Sequence, residues 1–250
     1  MDKSELNNST VIKNISTDQS EILKWIMDLY NDGNPFQCDM TASELKFYGK
    51  RNGCKYAIPE PEILMDVFPM RDDIIKITPF QKLPLEDESV SSIICDLPFV
   101  CSPKTCKSIV EKKEGSNLIP NRFHSWYPMQ EGYENIFWWL GECKRVLKDD
   151  GIIIWKMQNS VSGGLQHMLS YFSMICAAHY NLYVKDEFLL QAKARLISAS
   201  KIKKQMHSRK YTSSFWVFMK DDKKDKKTNI IQKLQECIDN VYEGKVWEVK

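Results

Sequence analysis

The chain reads as an α/β protein built on a mostly parallel sheet, with helices on both faces and an antiparallel edge strand. Three observations predict this. Strand-like runs alternate with segments of helical period over most of residues 18–220. Runs such as Ile152-Ile153-Ile154-Trp155 are apolar throughout, as strands covered on both faces are. The last two strand-like runs, at 182–188 and 214–219, flank a basic stretch and are expected to add the antiparallel edge.

Length and composition allow a sizeable core: the chain has 250 residues, 43% of them hydrophobic, and a net charge of only +2. No global field marks a nucleic-acid binder, so any such footprint must be local. Residues 1–17 are polar and read as a flexible arm. They lack the layout of a secretory leader, and no apolar run approaches a membrane span. Eight cysteines occur without a CxxC pair or a nearby histidine at ligand spacing, so they are expected to be reduced thiols in a cytoplasmic protein.

In order along the chain, Asp18 is the expected N-cap of a helix carrying Ile22, Leu23, Trp25, Ile26 and Leu29, which ends at 31–35. Residues 36–43 read as a short strand running into small polar residues, and 44–47 as the start of a helix. Strands follow at 63–67, with Asp66 near its end, and at 74–78; residues 79–88 form a loop or short helix. The run 90–95 is a central strand broken abruptly by Asp96. Residues 101–130 make a long loop, expected to lie over a cleft. A helix at 133–148 is closed by Asp149-Asp150-Gly151; a strand follows at 152–157, then a helix within 161–180 that begins after Gly163-Gly164. Residues 221–250 are a charged linker and a terminal amphipathic helix with Ile230, Ile231, Leu234, Ile238 and Val241 on one face. The globular unit is thus placed at 18–220.

Asp96 is the focus of this pattern. Ligands in open α/β sheets bind just outside the carboxyl ends of the strands, so an acid there faces a cleft. Taken alone, Asp96-Leu97-Pro98-Phe99 reads equally as a strand-ending turn, since Asp and Pro are common turn residues.

Four features together carry a resemblance: Leu83-Pro84 among acidic residues, the strand 90–95, Asp96-Leu97-Pro98-Phe99, and Arg145-Val146-Leu147-Lys148-Asp149-Asp150-Gly151 before the next strand. The chain resembles the S-adenosylmethionine-dependent methyltransferases that modify exocyclic amino groups of nucleobases, above all small phage-type and bacterial DNA methyltransferases. Residues 205–218 are also similar to the ends of such enzymes. Two differences stand out. Leu97 replaces the first proline of the family's tetrapeptide, and Cys38-Asp39-Met40-Thr41-Ala42-Ser43 replaces its glycine-rich cofactor turn.

The resemblance implies a Rossmann-like class I methyltransferase fold with S-adenosyl-L-methionine as cofactor. It implies that the Asp96 carboxylate and Leu97 carbonyl accept the two amino hydrogens, that Pro98 fixes the turn, and that Phe99 stacks on the target base. Cys38, Asp39, Met40 and Thr41 would hold the amino-acid end of the cofactor, Asp66 its ribose and Gln81 its adenine. Asp66 also reads as an ordinary solvated strand end. The partner implied is nucleic acid, DNA ahead of RNA, approached by Lys104, Arg122, His124, Trp126, Lys204, His207, Arg209 and Lys210; a basic tract of this kind also reads as a solvated face. No metal is expected, because a sulfonium needs no Lewis acid and the histidines at 124, 167, 179 and 207 show no ligand spacing. An RNA substrate, or a catalytically inactive homologue that binds nucleic acid or a partner subunit, fits the same residues.

Overall fold

The structure is a computed structural model that describes residues 11–101, 125–126, 128–193 and 207–221. Most of the long loop at 101–130, the middle of the basic tract and the expected terminal helix lie outside the described residues, as do Lys104, Arg122, His124 and Lys204.

Among the described residues ten strands form: β1 (Ile15–Ser16), β2 (Cys38–Asp39), β3 (Ile63–Asp66), β4 (Ile75–Lys76), β5 (Val90–Asp96), β6 (Leu147–Met157), β7 (Ser160–Ser162), β8 (Leu165–His167), β9 (Leu182–Gln191) and β10 (Thr212–Lys220). The helices are α1 (Gln19–Tyr30), α2 (Met129–Val146) and α3 (Leu169–His179). Eight strands make one sheet in the order β1-β9-β10-β6-β5-β2-β3-β4, and β7 and β8 make a separate hairpin. The order reverses between β2 and β5, which are parallel neighbours, and that crevice is where open α/β sheets hold ligands.

Among the described residues, the one antiparallel strand of the large sheet is β10. It does not lie at the edge; it sits between β6 and β9, and the two-residue β1 caps that side by pairing parallel to β9. Residues 15–16, placed in the flexible arm from sequence, are therefore part of the sheet.

Alternation in the central strands assigns the two faces. Ile93, Cys95, Ile153, Trp155, Trp216 and Phe218 point to the side covered by Ile136, Trp139, Leu140 and Cys143 of α2 and Leu169, Cys176 and Ala177 of α3. Ile94, Ile152, Ile154, Phe215 and Val217 point to the opposite side, beneath Ile22, Leu23, Ile26 and Met27 of α1. Asp18 caps α1 by accepting from Ser20 N–H at 2.9 Å, as its position before the apolar repeat foretells. The buried stripe takes Met27 rather than Leu29, which is 47% exposed.

Three local expectations change. Residues 44–47 form turns and no helix: Ser43 and Leu45 hold φ of +45° and +54°, outside the right-handed helical region. Gly163 and Gly164, at φ +58° and +77°, do not lead directly into a helix but link β7 to β8, because two consecutive positive φ values suit a tight hairpin turn; the helix begins only at Leu169. Asp149-Asp150-Gly151 falls inside β6 as an irregularity in its pairing with β5.

Two sequence features 60 residues apart meet in space. The Arg145 guanidinium donates to Glu142 and Asp87 and to the Leu83 and Leu85 carbonyls, while the Glu142 carboxylate accepts from Leu83 N–H at 2.8 Å. This clamp fixes the loop that leads into β5, and so helps set where β5 delivers Asp96. No helix among the described residues is long and apolar enough to cross a membrane.

The burial pattern of α1 gives a direct check. Ile26→Ala is expected to lower the unfolding free energy by about 2–5 kcal/mol, and Leu29→Ala by less than about 1 kcal/mol, in urea denaturation.

Candidate active site

At the carboxyl ends of β2, β3, β5 and β6 lies a cavity of about 350 Å³. Its lining includes Met40, Thr41, Ala42 and Ser43 from the turn after β2, Asp66 at the end of β3 with Phe68 just beyond it, and Asp96 at the end of β5 with Leu97, Pro98 and Phe99 following. Lys156 of β6 and Glu131, Asn135 and Trp139 of α2 complete much of the wall. Residues separated by up to 116 positions therefore share one concave surface.

Asp96 and Lys156 are register partners on parallel neighbours, continuing the Ile94 and Ile154 rows to the last paired residue of β5. Lys156 Nζ donates to Asp96 Oδ2 at 2.7 Å, with both side chains largely shielded. The ammonium also stands over two rings, 5.0 Å from the centre of Phe47 and 5.6 Å from that of Phe215. Asp96 N–H donates to Thr41 Oγ1 at 2.8 Å, and that hydroxyl in turn donates to Asp39 Oδ1 at 3.2 Å. The turn after β2 and the end of β5 are thus bonded directly to each other.

Asp39 itself is 1% exposed and does not line the cavity. Its carboxylate accepts from Tyr48 O–H at 2.5 Å and Thr41 N–H at 2.7 Å. Burial outweighs these donors and pushes Asp39 up to about 7. Cys38 is likewise fully buried beneath the turn, and burial pushes its thiol well up. Of the four residues expected to hold the amino-acid end of a cofactor, Met40 and Thr41 reach the cavity, while Cys38 and Asp39 support them from below.

Asp66 lines the cavity, but its oxygens already accept backbone donors: Oδ2 from Ser43 N–H at 2.8 Å and Oδ1 from Phe68 N–H at 2.7 Å. It ties the turn after β2 to the end of β3. Gln81 is exposed and outside the lining; the neighbouring Phe80 forms that wall, 56% exposed, at φ +64°, with its ring 5.7 Å from Trp138.

Trp126, expected to meet nucleic acid, is 8% exposed and forms part of the cavity wall. Its Nε1–H donates to the Pro98 carbonyl at 2.5 Å, and it packs on Gly132, where an added Cβ would come within 2.6 Å of the indole. His207 and Arg209 are exposed and Lys210 half-buried, none of them in the cavity wall. They precede β10, whose Ser214 pairs with Met157, so they stand at the same end of the sheet as the cavity.

Lys156, Phe47, Phe80 and Asn135 were not singled out from sequence. Lys156 carried a usable signal, a lone charge at the carboxyl end of an apolar strand, the same logic that selected Asp96. Asn135 is buried, and its Oδ1 has no hydrogen-bond partner among the described residues. Among those residues, no three His, Cys, Asp or Glu side chains assemble as a metal site would require.

No protein-family model matches this chain, and no curated protein matches it. Among solved structures it is similar to a candidate type 11 methyltransferase from Sulfolobus solfataricus, at 15% identity and a TM-score of 0.39, covering 83% of this chain and 96% of that one. A candidate methyltransferase from Thermoplasma acidophilum is similar at 8% identity and a TM-score of 0.30, covering 84% of this chain and 67% of that one. Likeness this distant leaves function to be argued from the site.

The burial of Asp39 has a measurable pH signature. A carboxyl raised from 3.8 to about 7 on folding binds its proton more tightly in the native state. Its contribution to stability is complete below about pH 4 and is lost as pH rises to about 7. The stability gap between the wild type and Asp39→Asn is therefore expected to narrow across that window, as read by denaturation at a series of pH values.

Proposed function

We propose that this protein transfers a methyl group from S-adenosyl-L-methionine to an exocyclic amino group of adenine or cytosine, in DNA ahead of RNA. The observation that carries the reading is the placing of Asp96-Leu97-Pro98-Phe99 on one cavity with the turn after β2, at the point where strand order reverses.

The cavity's chemistry suits this cofactor. Its charged lining comprises four carboxylates, Glu44, Asp66, Asp96 and Glu131, against two ammonium groups, Lys46 and Lys156, leaving a formal excess of two negative charges. Such a site favours a sulfonium cation and opposes the pyrophosphate of a dinucleotide. Phosphate-binding α/β folds place a helix N-terminus after the first strand of the nucleotide half, whereas here turns follow β2. Asn135 lines the cavity, and its buried Oδ1, without a hydrogen-bond partner among the described residues, is an acceptor of the kind an amino-acid ammonium group needs.

In this reading Met40, Thr41 and Asn135 hold the amino-acid end, Asp66 the ribose, and Phe68 and Phe80 the adenine. Once bound, the cofactor supplies an electrophilic methyl whose leaving group is a neutral thioether. The protein's task is to make an aromatic amine nucleophilic. Its lone pair is delocalised into the ring, and two acceptors, the Asp96 carboxylate and the Leu97 carbonyl, would draw the amino hydrogens out of plane and turn the lone pair toward the methyl. Attack by that nitrogen would form the new bond to carbon as the carbon–sulfur bond broke, and the amine's surplus proton would pass to Asp96 or to water. Phe99 offers a stacking face for a base removed from its duplex. Arg209, Lys210 and His207, at the cavity end of the sheet, would add salt-sensitive phosphate contacts.

Mass spectrometry of nucleosides from DNA and RNA incubated with protein and cofactor tests the reading: an N-methylated adenine or cytosine is expected. Asp96→Ala should lower methyl incorporation about 10²–10³-fold while calorimetry shows cofactor binding changed by less than about threefold. Full activity in that variant, or no cofactor uptake by folded wild type, would contradict it.

A further inference from the structure

Building on that reading, we propose that Lys156 is a specificity-determining contact: Asp96 and Lys156 together recognise an amino group whose carbon also carries a ring nitrogen acceptor. The argument is one of complementarity. Adenine and cytosine both present an amino N–H donor beside a ring nitrogen lone pair. Asp96 and Lys156 present the converse, a carboxylate acceptor beside an ammonium donor, on adjacent strands at the same register position and on the same cavity wall.

Lys156 has donors to spare. Its ammonium carries three N–H bonds, and among the described residues its one hydrogen bond is to Asp96 Oδ2. The Phe47 and Phe215 rings beside it attract the cation through their faces without taking a conventional acceptor's place. The ion pair also fixes the carboxylate, so acceptor and donor are presented as one rigid unit before a ligand arrives. A base seated with its amino group on Asp96 would bring the neighbouring ring nitrogen toward the ammonium. An aliphatic amine could donate to Asp96, but it has no neighbouring acceptor for Lys156, and its nitrogen, protonated at neutral pH, has no lone pair to attack the methyl.

The test replaces single atoms in the substrate. Oligonucleotides carrying the methylated site are compared with versions in which the target adenine is 1-deazaadenine or the target cytosine is 3-deazacytosine, which keep the amino group and lose the adjacent acceptor. With wild-type protein the deaza substrate should lose about 10- to 100-fold in kcat/KM, the value of a hydrogen bond to a charged group. Deletion of a ring nitrogen also alters the amine itself, so the same ratio is measured in Lys156→Met. There the discrimination should collapse to less than about threefold, whatever the variant's absolute rate. A ratio that persists in Lys156→Met, or wild type that methylates both substrates equally, overturns the role of Lys156 and leaves the functional reading intact. Failure to methylate any parent oligonucleotide overturns the functional reading and this inference with it.

Discussion

The ion pair between Asp96 and Lys156 is the constraint around which the cavity is arranged. Two like-facing positions at the ends of parallel strands would otherwise carry a carboxylate and an ammonium, each largely removed from water; paired at 2.7 Å, they compensate each other. Removing one partner from such a pair costs about 3–5 kcal/mol in general, because the other charge is left stranded. The pairing in turn depends on the β5–β6 register, which the apolar rows of Ile93, Ile94, Ile153 and Ile154 fix by burying both faces of the strands. From Asp96 the network continues through its backbone N–H to Thr41 and then to Asp39 and Tyr48, so a shift at one strand end is felt at the other.

The fold is economical on the face opposite α2 and α3. No helix follows β2, β3 or β4; turns stabilised by Tyr48, Asp66 and the Arg51 guanidinium take their place. Asp66 shows the consequence: with no helix to receive the chain after β2, a buried carboxylate organises the turn by collecting Ser43 and Phe68 N–H groups. The same absence removes the phosphate-binding device of nucleotide folds and leaves a negatively charged recess suited to a cationic ligand. Architecture and proposed chemistry thus point the same way for one physical reason.

Much of this was legible in the sequence, and what was not has identifiable causes. The central strands announced themselves because both faces are buried, which forces unbroken apolar runs such as Ile152-Ile153-Ile154. Asp18, a short polar residue ahead of an apolar repeat, marked the start of α1, and Asp96 stood out as a charge ending an apolar strand. Lys156 obeys the same rule, but its pairing with Asp96 depends on the β5–β6 register, which local sequence does not display. Residues 44–47 read as a helix start because Glu44 and Leu45 favour helices locally, whereas hydrogen bonds from Tyr48 to Asp39 and from Ser43 to Asp66 decide the backbone. A helix was expected directly after Gly163-Gly164, but two positive φ values make those glycines a hairpin turn, and the helix starts only at Leu169. The inward position of β10 reflects long-range strand pairing, to which local periodicity is blind. Phe80, rather than Gln81, meets the cavity because a positive φ turns the chain there, and residue type alone does not reveal that.

A structure of the protein bound to S-adenosylhomocysteine tests the central claim most directly. The account predicts the adenosine between Phe68 and Phe80, the ribose hydroxyls on Asp66, and the thioether sulfur facing Asp96 across the cavity. A ligand seated elsewhere, or a cavity that admits only a phosphate-bearing nucleotide, would contradict it.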